Sequence, residues 1–225
     1  MSNAYPAAVL WDMDGTLIDS EHYWLSSEQE LAESWGAQWT SEDGEKLIGM
    51  SLYESTEIIK EKLGIDISPA EITEILTNSV TLKLEKQIIW RPGVLELMAE
   101  LQAKGIKNAL VTMSMRRMAL SVAERLPTGH FDVVVAGDDV TRGKPHPEPY
   151  LRAAELLGVD IRDCVAIEDS LTGLTSAEAS GAIAIGIPNI VLLPEQEGRI
   201  IWPTLLGLTA EDFSDLYREK RATDV

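Results

Sequence analysis

The sequence predicts an α/β fold, a Rossmann-like parallel sheet core with an inserted all-helical subdomain. Three observations lead there. Five short apolar runs recur along the chain, and segments with helical patterning separate the last four of them. A gap of nearly a hundred residues follows the first run and is rich in helical patterning. Continuous apolar runs suit strands buried on both faces, and strands alternating with helices imply right-handed βαβ units.

The elements follow in order. Ala7–Trp11 reads as the first strand. The long gap then exceeds any ordinary crossover. Within it Glu21–Trp35, Ser51–Leu63 and Ser68–Lys86 read as helices, the last opened by a cap at Ser68 and by Pro69 in its first turn. Residues 20–87 are therefore expected to form the helical insert, and residues 1–19 and 88–225 the α/β core. Pro92–Lys104 carries Val94, Leu95, Leu97, Met98 and Leu101 at helical spacing and stops before Gly105. The remaining strands are expected at Asn108–Val111, Val133–Ala136, Cys164–Ile167 and Ile183–Ile187, with a further helical stretch at Ala210–Glu219.

Composition narrows the class. The chain has 225 residues, enough for one α/β domain with an insert, and its 45% hydrophobic and 25% charged residues are ordinary for a globular protein. Nineteen basic against 37 acidic residues give a net charge of −18, which speaks against a nucleic-acid surface. The insert holds five lysines, fourteen acids and no arginine, net −9. Any phosphorylated ligand must therefore be drawn in by a local positive focus. Cys164 is the only cysteine and there are three histidines, so neither a disulfide framework nor a Cys/His zinc site is expected. The first residues show no basic-then-apolar leader pattern, and Ala182–Leu193, the most apolar stretch, is too short to span a bilayer. The expectation is a cytoplasmic monomer with no membrane partner.

In open parallel sheets, ligands bind beyond the carboxyl ends of the strands. Here those ends carry Asp12-Met13-Asp14-Gly15-Thr16, then Thr112-Met113-Ser114, then Gly143-Lys144-Pro145 ahead of a helix, then Glu168-Asp169-Ser170. Each has a plain reading as a cap or turn. Together they place four acids, a hydroxyl and an amine around one point. Four acids at one rim repel unless a cation joins them, and hard oxygen donors without histidine favour Mg²⁺. A metal, a lysine and oriented donors around a carboxylate suit phosphoryl transfer to that carboxylate.

In type, order and context these four motifs resemble those of the haloacid dehalogenase (HAD) superfamily. The helical insert resembles the type-one cap of its β-phosphoglucomutase-like branch, and the similarity runs from Val9 to about Gly186. The resemblance implies a Mg²⁺-dependent phosphatase acting on a small phosphorylated metabolite through an aspartyl phosphate. It makes Asp12 the nucleophile and Asp14 the general acid and base. Thr112, Met113 (through its backbone N–H) and Lys144 become the phosphate-binding set. Asp12, the backbone carbonyl of Asp14, Asp169 and Glu168 become the metal set. The alternative is a β-phosphoglucomutase-like phosphosugar mutase. In the mutase pattern a histidine and a cap arginine stand where this chain has Trp24 and Leu52, which favours hydrolysis. Trp24, Met50 and His22 are candidates for a specificity pocket, with plain cap packing as the competing reading of Trp24.

Two departures stand out. Met113 takes the place where Asn or Ser is more usual, and Glu148 replaces the familiar Asp of the third-motif phrase. Arg116 and Arg117 read more simply as a basic helix face than as substrate contacts. A receiver-type phosphoacceptor module would reverse the order of nucleophile and acid pair. A non-catalytic binding protein would be expected to lack Asp12 or Asp14.

Overall fold

The computed structural model describes residues 5–48, 50–127 and 129–223. Its sheet has six parallel strands in the order β3-β2-β1-β4-β5-β6. These are β1 (Ala8–Trp11), β2 (Lys107–Val111), β3 (Val133–Val135), β4 (Cys164–Glu168), β5 (Ile183–Gly186) and β6 (Ile200–Ile201). The five sequence-derived strands are all present, with ends shifted by a residue. β6 was not anticipated, because two residues carry no period.

The chain enters the sheet at its middle. β1 pairs with β2 on one side and with β4 on the other, Trp11 lying opposite both Leu110 and Ile167. The order thus reverses beside β1, which opens a crevice at the carboxyl ends of β1, β2 and β4. All four β1 residues are fully buried, as a strand covered by helices on both faces requires.

Between β1 and β2 run α1 (Glu21–Ser34), α2 (Ser41–Glu45), α3 (Leu52–Leu63) and α4 (Pro69–Lys86), before α5 (Val94–Ala103). Ser51 and Ser68 each accept the N–H of the glutamate three residues on, while Glu54 and Glu71 reach back to the cap N–H groups. These reciprocal capping boxes explain where α3 and α4 begin. α2 was missed, since Ser-Glu-Asp-Gly-Glu has no apolar face to reveal it. Thr40 and Asp43 cap it in the same reciprocal way. Leu31, Ala32, Trp39, Leu47, Ile59, Ile72 and Leu76 form an apolar cluster of their own within these helices. Val80 and Leu84 of α4 join the main core, and backbone hydrogen bonds tie together the segments that lead into and out of these helices. The N–H of Asp19 donates to the carbonyl of Ile89, and that of Arg91 to Leu17.

The remaining helices are α6 (Arg116–Ala123), α7 (Glu148–Leu157), α8 (Leu171–Ser180) and α9 (Ala210–Thr223), the last longer than its apolar pattern suggested. α9 packs Phe213 and Leu216 against the main core. No helix among the described residues is long and apolar enough to cross a membrane.

Candidate active site

Asp12 follows β1 directly, its N–H still donating to Ile167, and Thr112 follows β2 with its N–H on Val135. Register alone therefore brings the ends of three strands together. Asp12, Glu168 and Asp169 each offer a carboxylate oxygen within 4.8 Å of the others, and all three are buried. Lys144 sits among them, its ammonium 2.7 Å from Asp12 Oδ1, 2.7 Å from Glu168 Oε1 and 2.9 Å from the carbonyl of Val111. With three acids and one ammonium, the cluster carries an excess of negative charge in a dry place.

The proton affinities follow. Burial first, then repulsion from Glu168, lifts Asp12 from 3.8 to about 7, against the downward pull of Lys144. Burial, then Asp12 and Glu168, push Asp169 well above the carboxylate range. Burial works to lower the lysine, but Asp12 and Glu168 outweigh it and hold Lys144 above its usual value. Hard carboxylate donors with surplus negative charge and no nitrogen or sulfur ligand fit a dication of the Mg²⁺ type.

Local backbone makes this crowding possible. Gly15 turns at φ +83°, and a Cβ there would lie 2.0 Å from Asp169 Oδ2. Ser170 caps α8 by accepting the N–H of Gly173, which brings that helix down over Glu168. Tyr150, fully buried on α7, donates its hydroxyl to Glu168 Oε1. Glu168 is thus held by a lysine and a phenol, and positions Lys144. A Cβ at Gly173 would lie 2.0 Å from Glu168 Oε2, and a carboxylate so tethered has little freedom to yield. Gly173→Ala is expected to lower stability by about 1–3 kcal/mol and to reduce activity with it. Thermal melts and turnover rates, read together, check this.

Asp14 lies in different company. Its Oδ1 accepts from Ser20 Oγ at 2.6 Å and from the Trp24 indole N–H at 2.9 Å, and its Oδ2 accepts from Ser114 Oγ at 2.7 Å. Thr112 Oγ1 stands at the 3.5 Å limit from the same Oδ2. The Asp14 side chain is no member of the carboxylate cluster. Trp24 also packs against both apolar clusters, which accords with the packing reading, while its indole N–H reaches Asp14. A hydrogen bond to a charged group contributes about 1.5–3 kcal/mol, so Trp24→Phe should lower kcat by about tenfold or more while leaving the fold intact. Steady-state kinetics that separate kcat from KM test it.

One cavity of about 100 Å³ collects these groups, lined by Asp12, Asp14, Trp24, Thr112, Lys144 and Asp169 among others. Met113 and Met50 line it too. The Met113 backbone N–H has no hydrogen-bond partner among the described residues, which leaves it available to an anion, while its sulfur accepts the N–H of Lys144 at 3.2 Å. His22 is placed elsewhere. Its ring lies against that of Tyr23 at a tilt of 46°, and it lines an outer chamber and not the cavity. Glu148 accepts the N–H groups of Thr141 and Arg142, anchoring the loop that carries Lys144. Arg116 pairs with Asp139, and Arg117 reaches across to Glu74 of α4. Sequence reasoning missed Ser20, Ser114, Tyr150, Glu21 and Glu28. Tyr150 stands six residues after Lys144, and neither it nor the two glutamates belongs to the four motifs at the strand ends.

Comparison with known proteins places this geometry. The profile of the haloacid dehalogenase-like hydrolases matches residues 9–187. The chain belongs to that family. As a HAD-type hydrolase it is an enzyme, and its neighbours include β-phosphoglucomutase-like proteins. It is 34% identical over 175 residues to a phosphorylated carbohydrates phosphatase of Thermotoga maritima, covering 77% of this chain and 81% of that one. It is 30% identical to the β-phosphoglucomutase of Bacillus subtilis over 189 residues, 80% of this chain and 82% of that one. The solved structure of CbbY from Rhodobacter sphaeroides in complex with phosphate superposes with a TM-score of 0.79 at 29% identity, covering 90% and 96% of the two chains.

Proposed function

We propose that this HAD hydrolase is a Mg²⁺-dependent phosphatase that cleaves a small phosphate monoester through an aspartyl-phosphate intermediate. The observation that carries the reading is the contrast between two aspartates in one cavity. Asp12 keeps company with Lys144, Glu168 and Asp169, while Asp14 rests on hydroxyl and indole donors. Acids two residues apart in such different settings suit different tasks, one as nucleophile and one as proton carrier.

Asp12 Oδ1 is occupied by Lys144, and Oδ2 has no hydrogen-bond partner among the described residues. Oδ2 attacks phosphorus, the bond from phosphorus to the ester oxygen breaks, and a proton carried by Asp14 passes to the departing alkoxide. Water then attacks the aspartyl phosphate, Asp14 takes its proton, and the bond from phosphorus to Oδ2 breaks to release phosphate. Thr112, the Met113 N–H and Lys144 bind the phosphoryl oxygens. Asp12, Asp169 and the Asp14 carbonyl would hold Mg²⁺, with Glu168 beside them as the anchor of Lys144. When bound, the ion neutralises the shared negative charge of phosphate and carboxylates. Residues 20–87 act as the cap that supplies Trp24 and Met50 to the pocket.

Hydrolysis is favoured over mutation of a bisphosphate by the ceiling of the cavity. Leu52 lines it where the mutase pattern has an arginine, and Lys144 is the only lysine or arginine among its lining residues. A phosphate-release screen over small monoesters, with Mg²⁺ and with EDTA, tests the reading. Mg²⁺-dependent release is expected. Activity that survives EDTA would overturn the metal assignment, and isomer formation from a bisphosphorylated hexose would replace the phosphatase by the mutase.

A further inference from the structure

Phosphate binding uses the backbone N–H of Met113 and gives its side chain no task. Yet this is the residue at which the second motif departs from the more usual Asn or Ser. Met113 is partly buried and lines the cavity. Its Sδ accepts the N–H of Lys144 at 3.2 Å, across 31 positions of chain. Lys144 is only 5% exposed, so water is a poor alternative partner for that N–H. Among the described residues the thioether is its one acceptor. A buried donor stripped of its acceptor is costly, so the contact carries more than its own weak strength.

The surrounding backbone is shaped to this contact. Gly143 leaves room for the sulfur, since a Cβ there would lie 2.7 Å from it. A Cβ at Gly137 would lie 2.4 Å from the Met113 carbonyl oxygen, and the Gly137 N–H donates to the carbonyl of Ser114 at 3.0 Å. The loop from Gly137 to Lys144 therefore meets Met113 at both of its ends. Lys144 is in turn gripped twice by the end of β2, its N–H by Met113 and its ammonium by the carbonyl of Val111 at 2.9 Å. The segment that offers Thr112 and the Met113 N–H to a phosphoryl group thus also sets where Lys144 stands.

We propose that Met113 is a positioning residue, its sulfur fixing the main chain of Lys144 and so holding the ammonium in register with the donors of the phosphate site. The effect on turnover rests on the phosphatase reading. The departure from Asn then acquires a meaning. Sδ of methionine and Oδ1 of asparagine occupy the same place along their side chains, so either residue can set an acceptor before the same N–H. The thioether is the weaker acceptor, and its flexible end fills the irregular space beside Gly143.

The test compares the full-length parent with Met113→Leu and Met113→Asn. Leucine keeps the apolar bulk and loses the acceptor, while asparagine keeps an acceptor and loses the bulk. Phosphate release from p-nitrophenyl phosphate is measured with Mg²⁺. Exchange of the Lys144 amide hydrogen is followed by NMR without substrate, relative to the amides of β1, so that a general loss of stability does not register. Met113→Leu should lower kcat/KM by about threefold to tenfold, and Met113→Asn should stand about twofold or more above it. The Lys144 amide should exchange faster in Met113→Leu than in either of the others. A side chain that only filled space would give the reverse order, leucine matching the parent and asparagine falling below it, and that result would overturn the inference. So would a Lys144 amide that exchanges at one rate in the parent and in Met113→Leu. If none of the three proteins releases phosphate from any monoester, the phosphatase reading falls, and the exchange rates alone decide whether Met113 holds Lys144.

Discussion

Asp12→Asn is expected to lose phosphate release by about 10⁴-fold or more while the folded protein melts no lower than the parent at pH 7. The first half follows from the chemistry. The amide oxygen of asparagine is a poor nucleophile, and the other anions in the cluster cannot replace Asp12. Glu168 is held by Lys144 and Tyr150, and Asp169 accepts a hydrogen bond from Thr16. The second half follows from electrostatics. Burial and Glu168 raise Asp12 to about 7, so its charged form is a burden to the folded state. Asparagine keeps the shape and removes that charge, and Lys144 retains its contact with Glu168. Turnover assays and thermal melts on one preparation separate the two effects. Turnover within tenfold of the parent would remove Asp12 from the nucleophile's place.

What the sequence made legible was whatever repeats or sits at a predictable edge. β1 and β4 announce themselves as unbroken apolar runs, and the ends of such strands are where a parallel sheet binds ligands. Asp12, Thr112 and Asp169 could be placed from that rule before any coordinates. α3 and α4 were legible because Ser51 with Glu54 and Ser68 with Glu71 mark their starts. β6 and α2 were not, because two isoleucines and five mostly polar residues have no period to detect. Contacts across long stretches of chain were hidden for a different reason. Tyr150 on α7 reaches Glu168 at the end of β4, and the Met113 sulfur meets Lys144 across 31 positions. His22 was a candidate for the specificity pocket, and it lines the outer chamber and not the cavity that holds Asp12 and Asp14.

Lys144→Met should be among the most destabilising single changes in the core, by about 3–5 kcal/mol near neutral pH, or roughly 10 °C in melting temperature for a chain of this size. Methionine matches the aliphatic stem, so the loss isolates the ammonium. Without it Asp12 and Glu168 face each other at 7% and 1% exposure with no cation between them. The pH dependence gives the change its signature. Lys144 is held above its usual value by Asp12 and Glu168 against the effect of burial, so the parent keeps its full contribution below about pH 10. Asp12 has the opposite sense. Its folded value of about 7 lies above its unfolded one, so stability is lost as pH rises from about 4 to 7, where the unfolded chain has shed a proton the folded one keeps. Removing the lysine deepens that loss, because its downward pull on the Asp12 carboxyl is then gone. The deficit of the variant against the parent should therefore be large at pH 8 and shrink toward pH 5, where Asp12 can stay protonated. Melting curves recorded in EDTA across that interval test it. A deficit that stays constant with pH would mean that Lys144 supports the fold through packing and leaves the buried acids to some other counter-charge.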